Sequence, residues 1–267
     1  MGQIDRNAAL TPRQIPMTKT IAIFNQAGGV GKSTIAMNLG YHLVQRDLKV
    51  LLVDLDPQSS LTTFMGIDPT ELETTLADVL IEEEPLPICS DLHGMDLVPT
   101  NIFLSGAEIQ LVNLDFREVR LKEGLALVQG SYDVILIDCP PSLGLLSYSG
   151  LVAASHVLIP IETHFKAFMG TSLLLQTIGK VKKRGNPNLE IIGFLPSRFA
   201  KSNSQDQRCL QAIQDQYGDV AAVFPPVPRL TALADASEEQ MPLALYDKKS
   251  KALTVFDQLA DTIQQLQ

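Results

Sequence analysis

"NQAGGVGKST", residues 25–34, decides how the rest of the chain is read. Gly31, Lys32 and Ser33 complete a phosphate-binding loop of the form G-x-x-x-x-G-K-[ST], but Gln26 stands where the opening glycine belongs. The stretch follows "KTIAIFN" (19–25), a short apolar run that reads as a buried strand. It leads into "GKSTIAMNLGYHLVQR" (31–46), where Ile35, Leu39, His42 and Leu43 recur at helical spacing. A loop passing from strand to helix turns successive backbone N–H groups toward one point at the positive end of the helix dipole, which suits phosphate oxygens. Glycines at 28, 29 and 31 let the backbone approach a ligand closely. Lys32 is expected to place its charge on the β- and γ-phosphates, and the Ser33 hydroxyl to ligate Mg²⁺. A glycine turn without a ligand is the plainer alternative, and the order strand, loop, helix weighs against it.

The pattern continues outward. "KVLLVDLD" (49–56), "YDVILIDCPP" (132–141), "HVLIPIE" (156–162) and "LEIIGFLPS" (189–197) are further apolar strands. Helical spacing occurs over 104–129 (two helices), 142–154, 166–184, 203–216 and 248–266, while 66–99 reads as an irregular excursion with one short helix. Strands apolar on both faces, alternating with helices, predict an α/β fold of the P-loop type: a mostly parallel sheet covered by helices on both faces. Ligands of such sheets bind at the carboxyl ends of the strands. Asp54 and Asp56 close the second strand there, and a solvated strand end is their alternative reading. Asp138 closes "LIDCPPS" (136–142) in the position of an acid that holds Mg²⁺ through water.

The 267 residues suffice for one such domain, expected over 19–267 behind a flexible tail, 1–18, in which Met17 is a candidate alternative start or tag junction. The tail lacks the apolar run of a signal peptide, and nothing approaches the roughly 18 apolar residues of a membrane span. Three cysteines without metal-ligand spacing suit a reducing, cytoplasmic location. The net charge of −9 argues against a generally basic nucleic-acid binder, but it is unevenly spread. Residues 1–165 hold 9 Lys/Arg against 20 Asp/Glu, 166–208 hold 8 against 2, and 209–267 hold 4 against 8. The middle block is either an electrostatic footprint or a solvated helix face.

Together "NQ-GGVGKST", "VLLVDLDPQ", "PTNIFLSGAE", "YDVILIDCPPSLG" and "PRLTALADA…LALYDKKSKA" closely resemble the ParA/MinD family of deviant Walker-box ATPases, from about residue 19 to the C-terminus. The resemblance implies a homodimer closed around two ATP molecules, slow hydrolysis, and cargo positioning by ATP-controlled binding to DNA or membrane. By matching position it implies that Gly28, Gly29, Val30, Gly31 and Lys32 cradle phosphates and that Thr34 contacts the α-phosphate. It implies too that Asp56 orients the attacking water, and that Ser33, Asp54 and Asp138 serve the Mg²⁺ ion.

One position departs. Where the family carries a lysine that reaches the partner's ATP, this chain has Ala27. Lys166, in "IETHFKAFMG" (161–170), is the expected replacement across the dimer interface. The subgroup lacking the family lysine and similar otherwise is McdA, the carboxysome-distributing ATPase of cyanobacteria. That makes carboxysomes the first expected cargo, reached through an McdB-like adaptor, and chromosome or plasmid partition the nearest rival. A reductase resembling the nitrogenase iron protein, and a binding module that no longer hydrolyses ATP, are remoter alternatives.

The C-terminal stripe Leu253, Phe256, Leu259, Ile263 and Leu266 is expected to pack on the domain rather than enter a membrane, because Asp257 and Asp261 on its polar face would repel anionic lipid. Nonspecific nucleoid DNA is the expected surface instead, met through Arg198, Lys201, Arg229, Lys248 and Lys249 by salt-sensitive contacts to phosphates. Lys180, Lys182, Lys183, Arg184 and Arg208 add to the middle basic block.

Overall fold

Val134–Asp138 carries no polar side chain before its terminal aspartate, so neither of its faces suits water. In the computed structural model Ile135 and Ile137 enter one hydrophobic core, and Val134 and Leu136 enter a second on the opposite side. The model describes residues 18–266, apart from the side chains of residues 165–169. All but Thr18 of the expected tail therefore lies outside the described residues.

In chain order the strands are β1 (Lys19–Ile23), β2 (Val50–Asp54), β3 (Cys89–Leu92), β4 (Met95–Val98), β5 (Val134–Asp138), β6 (His156–Glu162), β7 (Glu190–Ser197) and β8 (Ala222–Val223). They form one sheet in the order β3-β4-β2-β5-β1-β6-β7-β8, parallel except for the antiparallel β3–β4 pair. On one face lie α1 (Lys32–Val44), α2 (Ser60–Phe64), α9 (Thr231–Glu238), α10 (Leu243–Tyr246) and α11 (Leu253–Gln265). The other carries α3 (Leu76–Glu82), α4 (Phe103–Leu111), α5 (Arg120–Ala126), α6 (Leu145–Ala153), α7 (Phe165–Arg184) and α8 (Ser204–Tyr217). The α/β architecture covered on both faces is thus as the sequence implies.

The excursion over 66–99 is more ordered than its composition suggests. Thr75 and Asp78 form a capping box that starts α3. A hairpin then turns through Asp91, His93 and Gly94, all at positive φ, and delivers β4 to pair in parallel with β2. Four-residue strands are too short to show a period, and β4 becomes a strand only because β2 offers it an open edge. The short helices α2, α9 and α10 escaped for the same reason.

The C-terminal stripe behaves as expected. Phe256, Leu259 and Ile263 of α11 are fully buried, and Leu253 and Leu266 pack against the same core. The acidic face is bound too: Asp261 accepts from Arg46 Nε at 2.8 Å and Nη2 at 2.6 Å, and Asp257 lies 2.8 Å from His42 Nδ1. The basic middle block, in contrast, does not fold into one patch. Helix α7 begins after β6 at the carboxyl end of the sheet and finishes where the parallel strand β7 begins. Lys180, Lys182, Lys183 and Arg184 therefore sit at the end of the sheet opposite Arg198 and Lys201.

Candidate nucleotide site

The residues singled out around the loop meet at the carboxyl ends of β2, β5 and β1, which are neighbours in the sheet. The loop leaves β1 and enters α1 through Gly29 (φ 75°) and Gly31 (φ 90°), where the backbone is left-handed and a side chain would be strained. Val30 between them is fully buried and anchors the loop in the core, while Gly28 and Gly29 are exposed. Lys32 is the first residue of α1, and Ser33 and Thr34 follow, half-buried. The Lys32 ammonium donates to the Ala27 carbonyl at 3.3 Å. Burial pushes its pKa down from the ordinary lysine value, while Asp138 and Asp56 push it back up.

Asp54 and Asp138 face each other across the β2–β5 register, and both are fully buried. Asp54 is well supported. Its Oδ2 accepts from the backbone and hydroxyl of Thr62 at 2.8 and 2.7 Å, and its Oδ1 accepts from Asp56 N at 3.2 Å. Thr62 Oγ1 in turn accepts from Thr100 N at 3.1 Å. Burial nevertheless pushes the Asp54 carboxyl up to about 7. Asp138 is raised well above the carboxylate range by burial and then by the Asp54 charge; the Ser33 hydroxyl and Lys32 pull the other way. Neither Asp138 oxygen has a hydrogen bond of good geometry, but the Ser33 hydroxyl is near enough to pull its pKa down as a donor. Two buried carboxylates, one of them poorly supported by donors, are costly unless a cation joins them. Asp56 lies just beyond, almost buried, its Oδ1 accepting from Gln58 N at 3.0 Å.

Comparison with known proteins identifies the family of the chain. The AAA domain family model AAA_31 matches residues 18–191. The sporulation initiation inhibitor protein Soj of Bacillus subtilis is 38% identical over 251 residues, spanning 92% of this chain and 98% of Soj. The chromosome partitioning protein ParA of Caulobacter vibrioides is 37% identical over 248 residues, spanning 91% and 92%. The chain belongs to the ParA/MinD family of P-loop ATPases. Among solved structures, cobyrinic acid a,c-diamide synthase of Mycobacterium smegmatis, with ADP and magnesium bound, is 36% identical at a TM-score of 0.81, covering 92% of this chain and 93% of that one.

In this ParA/MinD-family ATPase the front of the loop is tied down by side chains that sequence reasoning passed over. Asn25 Oδ1 accepts from Ala27 N at 2.9 Å, and Gln26 Nε2 donates to the Gly170 carbonyl of α7 at 2.9 Å. Lys166 lies in the first turn of that helix, and its side chain is outside the described residues. A cavity of about 260 Å³ opens beside the loop, bounded by Gly31, Thr34, Arg198, Val227 and Leu230. Its lining mixes apolar side chains with the Thr34 hydroxyl and the Arg198 guanidinium. Arg198, expected on a DNA surface, stands in this wall and donates from Nη1 to the Gly29 carbonyl at 3.1 Å. Arg229 Nε donates to the Arg198 carbonyl at 3.1 Å, and its Nη2 lies 3.7 Å from the buried Asp206. Lys201, Lys248 and Lys249 are exposed, the last two in the turn that precedes α11. Cys139, the cysteine nearest the site in sequence, is fully buried with its thiol toward the Ile137 carbonyl, a poor place for a cluster ligand.

Thr62 and Arg198 are the residues a sequence reading most needed. Thr62 lies on a five-residue helix with no legible period, and Arg198 is, along the chain, one cation among many.

Proposed function

We propose that this protein is a partition ATPase of the ParA type, which dimerises with ATP, binds nucleoid DNA without sequence preference, and moves cargo through a partner that stimulates hydrolysis. The observation that carries the reading is the juxtaposition of Lys32 and Ser33 with Asp54 and Asp138, two buried carboxylates on adjacent strands that need a cation. Among the described residues no three His, Cys, Asp or Glu side chains form a metal cage of their own, which suits Mg²⁺ held largely through waters and phosphates. The unpartnered oxygens of Asp138 and the Ser33 hydroxyl beside them fit that role. Such an ion supplies positive charge to the phosphate oxygens.

The chain's own contribution is positioning. Lys32, held on the Ala27 carbonyl, would exchange that weak partner for the phosphate of a bound nucleotide. Its partial desolvation makes its charge more effective there. Asp56, steadied by Gln58 N, is the group to orient an attacking water. Large apolar side chains support the dimer: Ile102, Phe103, Ile109, Val112 and Phe116, on and around α4, are exposed. Glu108 of α4 accepts from Leu146 N at 3.3 Å, fixing this face beside the loop that follows Asp138. An apolar surface at the nucleotide end is suited to a second copy closing over the ATP. Lys166 is the proposed donor of charge across that interface.

The relatives named partition proteins share more than a third of their residues with this chain, so partition replaces carboxysome distribution as the first reading of the cargo. Ala27 is what still favours carboxysomes and an McdB-like adaptor. Imaging in the native host separates the two, since the protein should follow either a segregating DNA locus or the carboxysomes. Phosphate release with Mg²⁺-ATP and DNA tests the chemistry. The wild type should turn over and Asp56→Ala should not; a wild type that binds ATP without any turnover would return the protein to the class of binding modules.

A further inference from the structure

Ala27 leaves the phosphate loop without its family cation, and one further described cation touches the loop besides Lys32. That cation is Arg198. Its Nη1 is hydrogen-bonded to the Gly29 carbonyl at 3.1 Å, as Lys32 is bonded to the Ala27 carbonyl at 3.3 Å. Both groups rest on backbone carbonyls of the loop, which are weaker partners for a cation than a phosphate. The Arg198 side chain is half-exposed and steered by Glu162, whose carboxylate lies 3.6 Å from Nε, and it borders the cavity that also contains Thr34 and Gly31.

The backbone around Arg198 is arranged for that placement. Arg198 has a φ of 54°, left-handed and unfavourable for any residue but glycine, immediately after β7. Ser197 before it donates its hydroxyl to the Val30 carbonyl at 2.9 Å, so the segment is bolted to the loop at two consecutive carbonyls. The Arg198 carbonyl is held by Arg229 Nε. A residue kept in a strained conformation beside a ligand loop, where glycine would be at ease, points to a use for its side chain.

We propose that Arg198 is a nucleotide-phosphate ligand, its guanidinium leaving the Gly29 carbonyl for the phosphate chain when the nucleotide binds and supplying within one protomer part of the charge that Ala27 lacks. The proposal rests on the ATP-binding reading above, and it moves Arg198 from the DNA surface to the nucleotide site. Its fork of donors suits two phosphate oxygens at once.

Calorimetric titration of wild type, Arg198→Ala and Arg198→Gly with Mg²⁺-ATP, Mg²⁺-ADP and adenosine tests it, with DNA binding measured in parallel. Both variants should bind ATP and ADP about tenfold or more weakly, the effect of one charge-assisted hydrogen bond, with adenosine unchanged. Arg198→Gly should also melt no lower than wild type, because glycine relieves the φ of 54° and keeps the test independent of folding. Unchanged ATP affinity with weakened DNA binding would overturn the proposal and restore the DNA role. An equal loss for adenosine would overturn it in favour of a base contact. If wild type itself binds no ATP, the functional reading fails and the proposal with it; if wild type binds and the variants match it, only the proposal fails.

Discussion

Replacing Asp54 by Asn should stabilise the nucleotide-free protein at pH 8 and not at pH 5. Asp54 is fully buried, and its carboxyl is pushed from 3.8 to about 7. An acid whose folded pKa is raised binds its proton more tightly in the native state, so native stability falls as pH rises from the unfolded value to the folded one. Each unit is worth about 1.36 kcal/mol, so a shift of about three units sets a ceiling near 4 kcal/mol of lost stability above pH 7. Asn avoids the charge but turns an amide N–H toward Asp56 N, a donor against a donor, which costs about 1–2 kcal/mol. The net gain at pH 8 is about 2 kcal/mol, or roughly 4–8 °C in melting temperature for a domain of this size. At pH 5 the fall has covered only about 1.2 of those units, about 1.6 kcal/mol, so the relief and the amide mismatch nearly cancel. Melting by circular dichroism at both pH values, with EDTA present, measures the difference. A loss of stability of equal size at pH 5 and pH 8 would refute the argument, because it would mean that the Thr62 hydrogen bonds, not the buried charge, dominate this position. Adding Mg²⁺-ATP at pH 8 should raise the wild-type melting temperature more than that of the variant.

Three further outcomes follow from the fold and site. Lys166→Ala should leave the monomer's nucleotide affinity intact and abolish ATP-induced dimerisation, read by light scattering; dimers of unchanged mass would show that this lysine does not reach the partner's site. Phe116→Asp, at an exposed apolar position, should also lower the dimer fraction with ATP while shifting the melting temperature by less than about 2 °C, since surface substitutions usually change stability within about 0.5 kcal/mol. Arg46→Ala, which removes four hydrogen bonds from Nε and Nη2 to Asp257 and Asp261 on α11, should destabilise the fold by about 1–3 kcal/mol in urea titration, and normal stability would show those bonds to be solvent-exchangeable.

Much of this site was readable in the chain because its parts are local. A strand, a glycine turn and a helix in succession specify a phosphate loop from ten consecutive residues. An apolar strand that ends in aspartate announces a carboxylate at the ligand end of a parallel sheet. The same locality explains the errors: β3, β4 and α2 are too short to carry a period, and the basic block over 166–208 is contiguous in sequence only because α7 crosses the whole sheet between its two ends.

By itself, then, the sequence determined the family of the fold, the loop, the ligand end of the sheet and the identities of Asp54, Asp56 and Asp138. Strand order decided the rest. Because β5 inserts between β1 and β2, residues 84 positions apart in register, Asp54 and Asp138, share one buried space with Lys32. Because β7 lies two strands from β1, Arg198 reaches Gly29 across 169 residues of chain. Apolar periodicity records which way a residue faces, not which strand its neighbour comes from. That choice is made by packing the whole sheet, and it turned a missing lysine at position 27 from a local oddity into a question about which distant cation stands over the loop.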